Sequence, residues 1–369
     1  YRWPTPGLRI SPSNAVNTAQ SSGSSCRTVG VYPYKTGMVP LLSTNQPGYL
    51  YRVPSDASLN IKTYDATQSG TTTNGSAVVT GLTNTDQLIA GMSVVGTNIP
   101  VGATILSINS ATQITLSANA TGSATTSLTI TIPASKAVDL FLINTMDQVT
   151  QTTPTGTMAV RFGSLWTSGT SRTDAIEATT YPGLYVNTNI ISANANRQIP
   201  AAKGIYIGTV YMTSTAGQFE DTNTKRFIWN AYNRLPRKLK VTDTTDSWSY
   251  TTATWRQANN SAANQVEWIV GLSEDLVDLR VHGLAVNASN VNVATGVGID
   301  STSTNSADVY GGYAAALRLT VSAQYLGYPG IGYHYGAWLE ISAASGTTTW
   351  YGDTGLTYHQ TGMIGTVWC

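Results

Sequence analysis

The stretch AWLEISAASGTTTWY, residues 337–351, decides the fold class. It reads as two short strands, Ala337–Ser342 and Thr347–Tyr351, built from residue types that suit a pleated surface. Ala344, Ser345 and Gly346 lie between them and read as a hairpin turn. Glu340 alternates with Leu339 and Ile341, so its carboxylate is expected to face solvent or a neighbouring subunit. The same grammar recurs at Gly204–Met212, Asn264–Leu272 and Ala315–Tyr325, with Gly, Asn or Pro as punctuation. Helical periodicity is nearly absent. Its best stretch is Ser171–Thr180, where Ser171 could cap a turn with Asp174 three residues on. The chain is therefore expected to be all-β, with one short helix near 171–180.

Composition points the same way. The chain has 369 residues, which makes two domains the prior expectation. Only 11% of residues are charged, against about 25% in an average soluble domain. Thr, Ser, Asn, Gln and 34 Gly take their place. Ser, Thr and Asn compete for backbone hydrogen bonds and disfavour helix interiors. A net charge of +1 lacks the basic excess that binding to a phosphate backbone needs, so nucleic acid is not an expected partner. Nine Trp and 20 Tyr exclude charge-driven disorder. No run of about 20 apolar residues exists, so no spanning helix and no membrane insertion are expected. The two cysteines, Cys26 and Cys369, cannot form a disulfide framework or a zinc finger, though they could pair with each other. The sequence opens at Tyr1 rather than Met, as a processed or trimmed chain would, and no signal peptide is visible.

Along the chain, residues 1–48 are rich in Pro, Gly and Ser and read as an extended arm that packs on something else. Residues 68–132 contain one Asp and no Lys, Arg, Glu or aromatic residue. They read as a compact all-β module of about 65 residues, a size that folds alone only marginally. Removing it joins two apolar strand regions, so it reads as an insertion into an N-terminal β domain of 49–67 plus 133–203. Residues 204–369 then form a C-terminal β-sandwich or jelly-roll-like domain.

Two resemblances follow from quoted motifs. Val78-Val79-Thr80-Gly81-Leu82, Gly91-Met92-Ser93-Val94, Ile99-Pro100-Val101-Gly102 and Ile105-Leu106-Ser107-Ile108 resemble a small β-module that recurs in bacteriophage virion proteins and bacterial surface proteins. Lys225–Arg234, Trp248–Asn259, Gly327-Tyr328-Pro329-Gly330 and Gly346–Asp353 resemble the C-terminal domain of tailed-phage fibre or tail-fibre-like proteins. The SLWTSGTSRT piece at 164–173 also fits that family. The resemblance implies a component on the virion surface, in a tail or head fibre. It implies a homo-oligomer, a trimer by likeness to phage fibres, with other virion proteins docked through the 1–48 arm.

No HExxH, GxSxG or P-loop occurs, and three histidines with two cysteines offer no metal-ligand spacing, so no catalytic residue, metal or cofactor is expected. Gly330–Gly336 is one residue off a GxGxxG and lacks its strand-then-helix context. Glycoside cleavage would need two carboxylates across one bond. Glu267, Glu274, Asp275 and Asp278 lie close in sequence, but Glu274 and Asp275 read as the solvated tip of a hairpin. Two binding candidates remain. The first is a loop-borne aromatic cluster for stacking on sugar rings, Tyr328, Tyr333, His334 and Tyr335 with Trp350 and Tyr351, open against the alternative that these rings fill an interface. The second is a patch for an anionic glycan or lipopolysaccharide phosphate, Arg234, Arg237, Lys238 and Lys240, open against the alternative that their stems cover apolar surface.

The sequence thus leads to the expectation of a non-enzymatic phage virion protein, a fibre or receptor-binding component that attaches to a bacterial surface glycan or lipopolysaccharide. A head fibre, capsid decoration or other purely structural virion protein is the alternative. A glycan-degrading tail spike is a third.

Overall fold

The computed structural model describes residues 4–12, 23–40, 42, 50–53, 59–145, 158–355 and 357–369. The protein is all-β, and no α-helix occurs among these residues. No helix is long and apolar enough to cross a membrane among them. The chain divides into two compact units. One takes in the chain up to Asp221 together with Phe227–Arg234, and the other takes in Thr222–Arg226 and Leu235–Cys369.

The N-terminal unit is organised by two strands buried along their whole length, Ala137–Asn144 and Ile205–Tyr211. Continuous burial, rather than alternation, marks strands covered on both faces. They pair antiparallel with each other, and Met158–Leu165 and Ile228–Asn230 flank them. Ile205–Tyr211 therefore belongs to this unit. The boundary of the second unit falls at Leu235 and not at 204, because strand pairing holds 205–211 in the first sheet.

An acid sits on one of these two buried strands. Asp139 accepts from Arg172 Nε at 2.7 Å and from Thr209 Oγ1 at 2.6 Å. A buried carboxylate needs such partners, and they shape the chain nearby. Arg172 is drawn over the rings of Trp166 and Tyr206. Asp174 accepts from Ser164 through its backbone N–H at 2.5 Å and its hydroxyl at 2.9 Å. The expected helix at 171–180 does not form. Ser171 closes a tight bridge with Ser168, Asp174 is committed to Ser164, and Ile176–Glu177 pairs with Val186–Asn187 as a short strand.

The expected arm is also corrected where it is described. Leu8–Pro12 is wholly buried and pairs with Thr28–Pro33, which pairs with Ile61–Lys62. Ile10 exchanges both backbone bonds with the Asn230 amide, at 2.6 and 3.1 Å. The segment packs on its own unit because its apolar residues Leu8 and Ile10 complete that core. Residues 1–3, 13–22, 41 and 43–48 of the expected arm lie outside the described residues.

The low-charge insertion is two three-stranded sheets. Tyr64–Thr72, Ala124–Thr131 and Ser93–Gly96 form one, and Ile105–Ser110, Gln113–Leu116 and Val78–Val79 form the other. Val79, Met92, Val94, Ile105, Ile114 and Leu128 fill its interior. It is docked on its host. Ala90 donates to Ala193 O at 2.8 Å, the Asn194 amide donates to Thr85 O and Leu88 O, and Arg197 pairs with Asp86 at 2.9 Å.

The C-terminal unit is a two-sheet sandwich. One sheet has Gly332–Ile341 at its centre, flanked by Gln265–Val270 and Arg256–Gln257 on one side and Ala294–Ile299 on the other. The other sheet runs Pro236–Thr242, Gly362–Trp368, Val277–Val286, Leu319–Gly327 and Val309–Gly311, with Thr348–Tyr351 and Ser247–Tyr250 attached. Trp268, Trp338, Leu239, Leu279 and Met363 lie buried between them. The two expected hairpins are corrected here. Gly332–Ile341 and Thr348–Tyr351 lie in different sheets, as do Gln265–Val270 and Val277–Val286. Each connection is an arch across the sandwich. At the first arch Ser342 and Thr348 meet through their hydroxyls rather than through a backbone ladder, and Gly346 adopts φ +69° beside the Asn287 amide.

Candidate functional site

The strand Pro236–Thr242 alternates exposed and buried positions along its length. That alternation dismantles the expected basic patch. Arg237 points inward and is buried, while Lys238 and Lys240 are exposed on the outer face of the sheet. Arg234 belongs to the N-terminal unit, where its guanidinium lies 4.7 Å from the Trp229 ring centroid and donates to Ala231 O.

Lys238 and Lys240 join a different set of residues. Register places Lys238 beside Thr366 and Thr366 beside Asp278; one rung on, Lys240 lies beside Ile364 and Ile364 beside Arg280. Pro236, Lys238, Asp278, Arg280, Ile364, Gly365 and Thr366 line a shallow depression of ≈ 420 Å³. Asp278 is held by Arg280 at 2.8 and 3.2 Å and by the Gln324 amide at 3.1 Å. The Lys238 and Lys240 ammonium groups have no acidic partner among the described residues. Residues two apart on a strand lie about 7 Å from each other, so the face presents two unpaired cations at that spacing with Ile364 beside them. Ile364 is 50% and Trp368 41% exposed, which adds apolar surface on the same strand. Such a face can hold anionic groups on a polymer and cover its apolar parts.

The aromatic cluster is separated by the fold. Tyr328 alone lies in the loop, 59% exposed. Tyr333, His334 and Tyr335 are on the Gly332–Ile341 strand and not in a loop, because each residue of 332–337 pairs with Gln265–Val270. Tyr333 donates to Glu267 at 2.9 Å. His334 is buried against Trp268 with Nδ1 2.8 Å from Asp300, and Asp300 also accepts from the Tyr335 backbone N–H. Burial, helped by Asp300, pushes the Tyr335 hydroxyl above its ordinary range. Trp350 is core, packed with Val321, Ala285 and Val293. Tyr351 is half-buried between the Arg318 guanidinium, 3.9 Å from its ring centroid, and the edge of His359. Of the six, Tyr328 is free on the surface, and Trp350 and His334 are unavailable to a ligand.

Glu340 is the other correction. It is fully buried and faces the space between the sheets. Arg256 binds it at 2.7 Å, Trp248 Nε1 donates at 2.7 Å and the Asn259 backbone N–H at 3.3 Å. Burial outweighs these donors and pushes its carboxyl up to about 7. Glu267 pairs with Tyr335, five residues from Glu340, with no bulge between, so the two carboxylates point to opposite faces about 16 Å apart along the strand. That spacing cannot flank one glycosidic bond. Cys26 and Cys369 are both buried.

Arg280 and Thr366 were not singled out by sequence reasoning, and Asp278 was named only as one of a group of carboxylates. The signal was present: VDLRVHGLAV at 277–286 alternates strictly, which puts Asp278, Arg280 and His282 on one outer face.

No family model matches the chain, and no curated protein does. Among solved structures, the infectious bursal disease virus Gt strain structure is 10% identical, over 98% of this chain and 66% of that one, with a TM-score of 0.24. The insecticidal delta-endotoxin Cry8Ea1 of Bacillus thuringiensis is 8% identical over 77% of this chain and 54% of its own, at 0.21. The Bacillus thuringiensis crystal protein Cry7Ca1 is 12% identical over 99% and 53%, at 0.15. The chain thus spans about two thirds or less of each of these structures, and TM-scores at this level carry no weight for fold or function.

Proposed function

We propose that the protein is a bacteriophage virion surface component that attaches the particle to an anionic glycan or lipopolysaccharide on the bacterial surface. The observation that carries this reading is the pair of unpaired lysines, Lys238 and Lys240, set beside Arg280 and Ile364 on an open sheet face. The virion-type motifs in the sequence give the context. A shallow face binds weakly by itself. A fibre-like homotrimer would multiply the contact, since linked sites raise avidity by about 10²–10⁴. Binding rather than cleavage is the proposed activity.

The test is binding of the full chain to host cells or to purified lipopolysaccharide. The Lys238→Ala/Lys240→Ala double variant is expected to lose at least about tenfold in affinity, with stability within about 0.5 kcal/mol of the parent because both side chains are exposed. Undiminished binding by a folded double variant would overturn the reading.

A further inference from the structure

A second cavity lies wholly within the N-terminal unit, where the low-charge module meets its host sheet. It measures ≈ 540 Å³, inside the range of about 300–1,000 Å³ typical of small-ligand sites. Lys62, Asp65, Gln68, Asp86, Gln87 and Arg161 are the groups that matter in its lining.

The acids there are already engaged. Asp65 accepts from the Thr67 backbone and hydroxyl and from Gln68 Nε2, at 2.9, 2.6 and 3.0 Å. Asp86 is bound by Arg197 at 2.9 Å. The amides are engaged too. Gln68 Oε1 accepts from the Thr83 N–H, and Gln87 bridges the Lys62 N–H and Asn60 O. Those bonds fix the walls before any ligand arrives, which removes an ordering cost from binding.

Arg161 is the exception. Its Nη1 donates to Val160 O at 3.1 Å, its Nε is buried without a hydrogen-bond partner, and it has no carboxylate within ion-pair distance among the described residues. Burial and the nearby Arg197 charge both work against its cationic form, and Asp86 compensates only in part. Lys62 at the rim adds a second cation without an ion-pair partner among the described residues. Arg161 is half-buried with its Nε shut off from solvent, and a guanidinium with spare donors in such a place is costly unless an anion joins it.

We propose that this cavity binds a monoanionic sugar, a hexuronic acid residue, with its carboxylate on Arg161 and its hydroxyls on the Gln68 and Gln87 side. Asp65 and Asp86 favour a single negative charge over a dianionic phosphate, because a second charge would meet two fixed acids. The site is separate from the lysine face and stands or falls without it.

The full chain is titrated with D-glucuronate, glucose and glucose 6-phosphate by calorimetry or ligand-observed NMR. Saturable binding of glucuronate, at least tenfold tighter than glucose and tighter than glucose 6-phosphate, is expected. Arg161→Gln is expected to weaken it at least tenfold, and Lys62→Glu, on the exposed rim, severalfold. Lys238→Ala/Lys240→Ala is expected to leave it unchanged. Absent saturation by glucuronate, equal binding of glucose, or preference for the phosphate overturns the proposal. So does unchanged binding in Lys62→Glu together with a folded Arg161→Gln; should Arg161→Gln fail to fold, Lys62→Glu alone decides.

Discussion

Glu340 shows how one side chain can set the pH response of a domain. Its carboxyl is held at about 7, against 4.5 for an exposed glutamate, so between those values the folded chain keeps a proton that the unfolded chain has released. The stabilisation from this group is complete below about pH 4.5 and is lost as pH rises through 7. The swing is on the order of 3 kcal/mol. Urea unfolding of the parent from pH 4.5 to 8 should show this decline, and Glu340→Gln should remove most of it; an unchanged slope in the variant would place the titration elsewhere. Alternation along the strand was legible in the sequence and gave Glu340 a face. It could not say that Arg256 and Trp248 of the same unit would cover that face, since both partners come from more than 80 residues away. Lys238 and Lys240 are exposed on the alternate face of their own strand, a placement the sequence reading had left open against stems covering apolar surface.

At the scale of the element, strands were legible and their partners were not. The apolar runs at 137–144 and 205–211 and the alternation at 277–286 are local properties, and local sequence carries them. Whether two successive strands form a hairpin or an arch depends on which sheet each one's apolar side faces, and a short Gly-containing connection permits both. The arches also explain why certain strand positions must be glycine. At Gly336 an added Cβ would lie 2.4 Å from Leu279 Cδ1 in the facing sheet. Gly336→Ala is expected to cost about 1–3 kcal/mol in thermal or denaturant unfolding, and Leu279→Ala in the same background should recover part of it. A neutral Gly336→Ala would mean that the sheets are not in contact there.

For the molecule as a whole, the insertion is the informative piece. Its composition stands out in the sequence, and its strands pair with one another, with Tyr64 opposite Thr131 where the stretch begins and ends. Its docking to the host through Asn194, Arg197 and Ala193 left no trace in sequence, because amide-to-backbone bonds have no motif. The isolated 63–132 fragment is expected to fold, with strand-type circular dichroism and a cooperative transition well below that of the full chain. A fragment that stays unfolded would show that the host supplies its stability.

The arches of the C-terminal unit carry a kinetic consequence. At each arch the chain passes to the opposite sheet, so neither sheet can close until residues from distant parts of the chain have been gathered. Such a topology has high contact order and little local structure to nucleate on, which places its folding in the millisecond-to-second range typical of all-β sandwiches. During that interval the chain shows open strand edges with few charges to keep copies apart. The scarcity of ions therefore makes the newly made chain most vulnerable to its own kind before the sandwich shuts.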